Sequence, residues 1–230
     1  MKVLIVGASR GIGLEFVRQY RADGAEVTAT ARDAAGLERL RALGATALQL
    51  DVVDAASASG LGWQIEGAGF DVAIVNAGVV GARRPVLEPP TADDFDLVMR
   101  TNVLGPMRVV PQVAEALAPG AKLAVLSSRM GSIGGRTGTS NWLYRASKAA
   151  LNSVLKDAAL TLGDRAHCVA LHPGWVRTDM GGAGADLDVA TSVAGMRRVI
   201  AGLGADPGTG PGTDAERGMF RNHDGATIPW

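Results

Sequence analysis

A phenol and an ammonium stand four residues apart in the run Tyr144-Arg145-Ala146-Ser147-Lys148. Residues at i and i+4 share one face of a helix, so the two side chains lie together if this run is helical. A nearby ammonium stabilises a phenolate and lowers the tyrosine pKa from about 10, into a range that suits acid–base catalysis. We therefore interpret Tyr144 and Lys148 as a candidate catalytic pair. The alternative is an amphipathic helix with a lysine on its surface.

A glycine-rich segment follows the first apolar run and opens a helical pattern. Its sequence is Gly7-Ala8-Ser9-Arg10-Gly11-Ile12-Gly13. Glycines in this context let the backbone turn tightly and approach a pyrophosphate, which then meets the N–H groups of the helix N-terminus. The segment predicts a dinucleotide site, although its spacing differs from the commoner Gly-x-Gly-x-x-Gly. A tight turn that binds nothing is the alternative.

The tip of the second predicted strand distinguishes between the two dinucleotides. The strand ends in Arg32, which suits the 2′-phosphate of NADP through paired, charge-assisted hydrogen bonds, whereas NAD favours an acidic residue there. Arg10 can approach the same phosphate from the glycine segment. Asp33 is the competing acidic reader, but its place before a helix favours a capping role. We expect NADP(H), with NAD(H) less favoured.

Short apolar runs alternate with longer helical patterns, which is typical of βαβ units around a parallel sheet. The predicted strands are 3–6, 27–31, 45–50, 71–75, 122–126 and 168–171, with a short seventh near 219. The predicted helices are 12–22, one after Asp33, 92–117 with Pro106 and Pro111 bending or interrupting it, and 141–162. These patterns predict an α/β fold with one Rossmann-type domain over 1–230. Its doubly wound sheet would hold about seven parallel strands in the order 3-2-1-4-5-6-7, with helices on both faces.

The segment 181–215 is expected to be flexible and to lie on the substrate side. Glycines and two prolines crowd its second half, so the backbone there is hard to order. It follows the sixth strand, on the side where ligands bind in such sheets. A plain surface loop is the alternative.

Composition narrows the class of protein. The 23 basic residues balance 23 acidic ones, which argues against partnership with nucleic acid or an anionic membrane. One cysteine and three scattered histidines give no metal-ligand spacing, and the lone cysteine fits a reducing compartment. The first apolar run is too short for a signal peptide. We expect a cytoplasmic protein that acts on a small molecule and holds no metal.

Jointly, these features resemble the short-chain dehydrogenase/reductases of the single-domain type, over nearly the whole chain. The features shared with the family, in the family's order, are the glycine segment, Asp51-Val52, Asn76-Ala77-Gly78, Asn102, Ser127-Ser128, Tyr144 to Lys148, and Pro173-Gly174 with Thr178. The stretch 172–182 and the C-terminal Asp224-Gly225 and Pro229-Trp230 are similar to the carbonyl reductases related to C-factor and sniffer proteins.

The resemblance implies catalytic roles for four residues. Tyr144 would donate a proton to a substrate carbonyl, and Lys148 would lower its pKa and bind the nicotinamide ribose. Ser128 would hydrogen-bond the carbonyl oxygen. Asn102 would hold a water that connects Lys148 to solvent.

The resemblance and the glycine segment together imply a set of cofactor-binding residues. Asp51 and Val52 would meet the adenine, 76–78 would pass under the adenosine, and 173–178 would line the carboxamide. The full set is Gly7, Ser9, Arg10, Gly11, Ile12, Gly13, Arg32, Asp51, Val52, Asn76, Ala77, Gly78, Tyr144, Lys148, Pro173, Gly174, Val176 and Thr178.

Three departures from the family pattern stand out. Val6 stands where the family usually has threonine, and Val75 where it usually has asparagine. Both changes remove hydrogen bonds that brace the loops, which puts the affinity for the cofactor in doubt but not the type of reaction. The interval from Ser128 to Tyr144 is longer than usual, so the loop 131–136 must bulge. Ser127, and after it Ser132, are the rival candidates for the hydroxyl at the carbonyl.

The predicted function is an NADP(H)-dependent oxidoreductase that interconverts a carbonyl and an alcohol. A catalytically silent NADP-binding sensor on the same fold is the alternative, and the presence of all four catalytic residues favours the enzyme. The resemblance also implies a homodimer or homotetramer.

Overall fold

The sheet has the predicted topology. The computed structural model describes residues 1–83, 85–204 and 217–230. Its strands are β1 Lys2–Val6, β2 Glu26–Ala31, β3 Thr46–Gln49, β4 Phe70–Val75, β5 Leu117–Leu126, β6 Ala166–His172 and β7 Met219–Asn222. All neighbouring strands run parallel, in the order β3-β2-β1-β4-β5-β6-β7. The predicted fold class is therefore confirmed.

Helices cover both faces of this sheet, which explains why the central strands are nearly continuous apolar runs. The helices are α1 Gly11–Ala22, α2 Ala34–Ala42, α3 Ala55–Ser59, α4 Leu61–Ile65, α5 Ala92–Met99, α6 Gly105–Glu115, α7 Trp142–Leu162 and α8 Val189–Gly202. One buried cluster joins the sheet to α4, α6 and α7, and the other joins it to α1, α2 and α8. Asp33 caps α2, as predicted: its Oδ1 accepts from the Gly36 N–H at 2.7 Å.

The helical stretch predicted over 92–117 is interrupted, as its prolines suggested. A π-helical turn, Arg100–Leu104, separates α5 from α6. Pro106 stands in the first turn of α6, where its missing N–H costs no hydrogen bond, and Pro111 lies inside α6 without ending it. Leu117 already belongs to β5.

The segment 181–215 is not loose throughout. Residues Val189–Gly202 form α8, whose N-terminus is capped by Asp188, and Val193 and Met196 are fully buried against the sheet. Part of the segment is therefore helical, because an apolar face packs on the sheet, and its flexibility stays a prediction. Residues 205–215 lie outside the described part of the chain.

Candidate active site

The glycine segment forms a tight turn between β1 and α1. Gly7 and Gly11 have φ values of +86° and +55°, which favour glycine. A methyl group on Gly7 would lie 2.7 Å from the Ala77 nitrogen, and one on Gly13 would lie 2.3 Å from the Gly7 oxygen. The three glycines therefore let β1, α1 and the loop after β4 approach each other closely.

The start of α1 is open to an anion. Within the described residues, no side chain caps its first N–H groups, and its first turn carries no acidic residue. By contrast, Asp33, Asp54 and Asp188 cap α2, α3 and α8. Free N–H groups and the positive end of the helix dipole favour a phosphate at this position.

Two side chains brace the glycine segment. The Gly7 N–H donates to Thr30 Oγ1 at 3.0 Å, and Asn76 Nδ2 donates to the Gly7 oxygen at 2.6 Å. Val6 had suggested a loop without such bonds, but the buried Thr30 on β2 supplies one. The sequence indicates Thr30 only weakly, because β2 carries two threonines and only the structure shows which of them reaches Gly7.

A cleft of about 450 Å³ runs along the carboxyl ends of the strands. Its walls contain many of the predicted cofactor-binding residues: Gly7, Ser9, Arg10, Gly11, Ile12, Arg32, Asp51, Val52, Asn76, Ala77, Gly78 and Thr178. The predicted residues outside these walls are Gly13, Tyr144, Lys148, Pro173, Gly174 and Val176. Wall residues that sequence reasoning missed include Thr30, Thr101, Arg177 and Asp179.

The polar groups near the predicted adenosine end are Arg32, Arg10 and Asp51. Arg32 is exposed and follows β2 directly. The Arg10 guanidinium pairs with the Asp179 carboxylate at 2.8 Å. Asp51 Oδ1 accepts from the Val53 N–H at 3.0 Å, which fixes the carboxylate at the cleft.

The segment after β6 reaches the glycine segment. Gly174 has φ +85° and Val176 is buried. A methyl group on Gly11 would lie 3.6 Å from Thr178 Cγ2. Thr178 Oγ1 accepts from the Gly181 N–H at 3.1 Å, so this residue is held at the cleft wall.

Tyr144 and Lys148 lie together in the first turns of α7, both buried. Lys148 Nζ is 5.8 Å from the centre of the Tyr144 ring and donates to the Leu126 oxygen at 2.7 Å. Burial lowers the pKa of Lys148 to about 8.

The structure gives Tyr144 a higher pKa than the sequence predicts. Burial raises the pKa of Tyr144 to about 12, and a hydrogen bond with the Ser128 side chain opposes that rise. The expected lowering by Lys148 is not found in this form of the protein, because burial of the phenol is the dominant effect and only Ser128 opposes it.

Ser128 is the serine that reaches Tyr144. Its side chain acts on the Tyr144 phenol in spite of the long interval between the two residues, and its Oγ also accepts from the Met130 N–H at 3.2 Å. The rival Ser127 donates to Asn152 Oδ1 at 2.5 Å, and Ser132 donates to the Pro229 oxygen. Both rivals are thus engaged elsewhere.

Asn102 connects the cleft to these catalytic candidates. It lies in the π-helical turn, where its Oδ1 accepts from the Val79 N–H at 2.8 Å and its Nδ2 donates to the Val79 oxygen at 2.8 Å. Its Nδ2 also donates to Ser147 Oγ at 3.0 Å. A methyl group on Gly78 would lie 3.3 Å from Asn102 Oδ1 and 3.4 Å from Lys148 Nζ, so these groups surround the cleft wall at Gly78.

The described residues contain neither a metal-binding cluster nor a membrane-spanning helix. Among 1–83, 85–204 and 217–230, no group of three or more His, Cys, Asp or Glu residues could hold a metal ion. No helix of that part combines the length and hydropathy that crossing a membrane requires.

Comparison with known families decides the relationship. The family model described as enoyl-(acyl carrier protein) reductase matches residues 7–202, from the glycine segment to the end of α8. The chain belongs to the short-chain dehydrogenase/reductase family. Within this family it is 39% identical to C-signal of Myxococcus xanthus over 163 residues, which is 70% of this chain and 92% of that one.

Solved structures of this family resemble the chain over its full length. A putative short-chain dehydrogenase/reductase from Burkholderia multivorans with bound NADP has a TM-score of 0.86 and 31% identity, covering 100% of this chain and 99% of its own. The carbonyl reductase Sniffer of D. melanogaster has a TM-score of 0.84 and 31% identity with the same coverage. The predicted resemblance to C-factor and sniffer proteins is confirmed.

Proposed function

We propose that this short-chain dehydrogenase/reductase is an NADP(H)-dependent enzyme that interconverts a carbonyl and an alcohol. The observation that carries the proposal is the convergence of Tyr144, Ser128 and Lys148 beside the dinucleotide-sized cleft. NADPH would supply the hydride. The chain's own residues would bind the dinucleotide, orient the carbonyl and deliver the proton.

The cleft fits a phosphorylated dinucleotide. The open N-terminus of α1 suits the diphosphate, and Arg10 and Arg32 on the cleft wall suit a 2′-phosphate. The tight glycine turn leaves backbone, not side chains, at the diphosphate position. The NADP bound to the structural relative from Burkholderia multivorans supports the same cofactor.

The side chains divide the proton chemistry among them. With its pKa above the ordinary value of 10, Tyr144 carries its proton at neutral pH, as a donor to a carbonyl oxygen must. Ser128, beside the same phenol, would place a second donor at that oxygen as charge develops. Asn102 would link the buried Lys148 to the cleft.

Oxidation of NADPH with a panel of aldehydes and ketones tests the proposal. We expect turnover in the native protein and a loss of about a hundredfold or more in Tyr144→Phe, because the general acid is removed. NADPH binding, followed by its fluorescence, should persist in this variant. Equal turnover in the two proteins would contradict the role of Tyr144.

A non-catalytic sensor is the second candidate, because the name of the relative C-signal denotes a signal. Tight NADPH binding without turnover of any carbonyl would favour it.

We also propose that the chain forms a homodimer or homotetramer, which light scattering in solution tests.

A further inference from the structure

One ion pair bridges the two walls of the cleft. Arg10 precedes α1 in the glycine segment, and Asp179 follows Thr178 in the segment after β6. Arg10 Nη1 lies 2.8 Å from Asp179 Oδ2, and both residues line the cleft. The guanidinium that we propose as a ligand of the 2′-phosphate is therefore bound to a carboxylate in this structure.

The pair is exposed and replaceable. The side chains of Arg10 and Asp179 retain 73% and 76% of their exposure, and ion pairs of this kind contribute little to stability. A phosphate monoester carries more negative charge at neutral pH than a carboxylate does, so it attracts the guanidinium more strongly than one exposed carboxylate. A 2′-phosphate can thus displace Asp179.

The segment that carries Asp179 is held without this ion pair. The Gly182 N–H donates to the Thr178 oxygen at 2.8 Å, and Arg177 Nη1 donates to the Ala185 oxygen at 3.2 Å. Val176 and Leu187 form a parallel bridge at its base. Removal of the Asp179 charge should therefore leave the cleft wall in place.

We propose that Asp179 sets the dinucleotide preference by competing with the 2′-phosphate for Arg10. This inference rests on the proposed binding of NADP(H). NADPH gains the Arg10 contact only after the ion pair breaks, and its phosphate also meets the repulsion of the carboxylate. NADH has no 2′-phosphate and leaves the ion pair intact. Asp179 therefore reduces the ratio by which the protein binds NADPH more tightly than NADH.

Dissociation constants for NADPH and NADH test the competition in four proteins at low salt: native, Asp179→Asn, Arg10→Gln and the double variant. We expect Asp179→Asn to bind NADPH about threefold to tenfold more tightly, with NADH changed by less than about twofold. The gain should vanish when Arg10 is already Gln, and should shrink at high salt. Asp186→Asn is the matched control, since it removes one exposed carboxylate from the same segment, outside the cleft walls.

Each contrary result has a distinct meaning. Weaker NADPH binding in Asp179→Asn would mean that the ion pair clamps the bound cofactor, which overturns the competition. An equal gain for NADH, or a gain that persists without Arg10, would reduce Asp179 to a general repulsive charge and also overturn it. If the native protein binds neither dinucleotide, the proposed function fails and this inference fails with it.

Discussion

At the scale of single residues, the structure chooses between neighbouring serines. Ser128 acts on the Tyr144 phenol, whereas the hydroxyl of Ser127 donates to Asn152 in the buried interface with α7. The sequence makes Ser128 the first candidate and leaves Ser127 as a rival, because the two are adjacent just after β5 and the choice depends on which neighbours each side chain meets.

Substitution of each serine by alanine tests this choice. Ser128→Ala should lower kcat for carbonyl reduction by about a hundredfold, since it removes one donor to the developing oxyanion. Ser127→Ala should keep most of kcat and instead lower the melting temperature, because it leaves Asn152 without its partner. A loss of kcat in Ser127→Ala that matches the loss in Ser128→Ala would contradict the assignment.

The same scale shows why part of the site escaped the sequence. Tyr144 and Lys148 could be paired because both stand on one helix, four residues apart. Thr30 acts on Gly7 across 23 residues, and Asp179 reaches Arg10 across 169. Such contacts exist only after the sheet has aligned β1, β2 and β6.

At the scale of elements, the buried strands were predictable and the connections less so. Apolar runs such as Val3 to Val6 are buried on both faces, and their shortness and β-branched residues predict strands. The π-helical turn could be expected as an interruption from Pro106, but its wider geometry depends on the contacts of Asn102 with Val79 and Ser147. Helix α8 was not predicted, because the glycines and prolines that follow it obscure its buried apolar face.

The contribution of α8 to stability can be measured directly. Met196 is fully buried between α8 and the sheet, so Met196→Ala should lower the free energy of unfolding by about 2–5 kcal/mol. Met107 on α6 is 52% exposed, and Met107→Ala should change the free energy of unfolding by less than about 0.5 kcal/mol. Denaturant unfolding of both variants gives the comparison. Similar small losses in both would mean that α8 contributes little to the folded state.

At the scale of the whole molecule, the histidine that ends β6 couples folding to pH. The His172 ring is half-buried, and its buried Nδ1 has no hydrogen-bond partner among the described residues. Burial is the main cause that lowers its pKa to about 4, while Arg129 and His223 act in the same direction and Asp224 opposes them. The folded chain thus resists protonation that the unfolded chain accepts at its ordinary pKa of 6.5. Stability from this residue is complete above pH 6.5 and is lost as the pH falls towards 4.

Replacement of His172 should flatten this dependence. Between pH 7 and 4.5, the melting temperature of His172→Gln should fall less than that of the native protein, because no imidazole is left to titrate. His167→Gln serves as the control and should follow the native curve. Parallel curves for His172→Gln and the native protein would show that other groups govern the acid sensitivity.

The hydrogen bond between the Gly7 N–H and Thr30 has a practical consequence for redesign. Thr30 stands two residues before Arg32, so the strand tip that would read the 2′-phosphate also braces the turn that would hold the diphosphate. Attempts to convert the chain from NADPH to NADH by rebuilding residues around Arg32 will therefore disturb the diphosphate turn as well. Changes confined to the Arg32 side chain, with Thr30 retained, offer the cleaner route to an altered coenzyme preference.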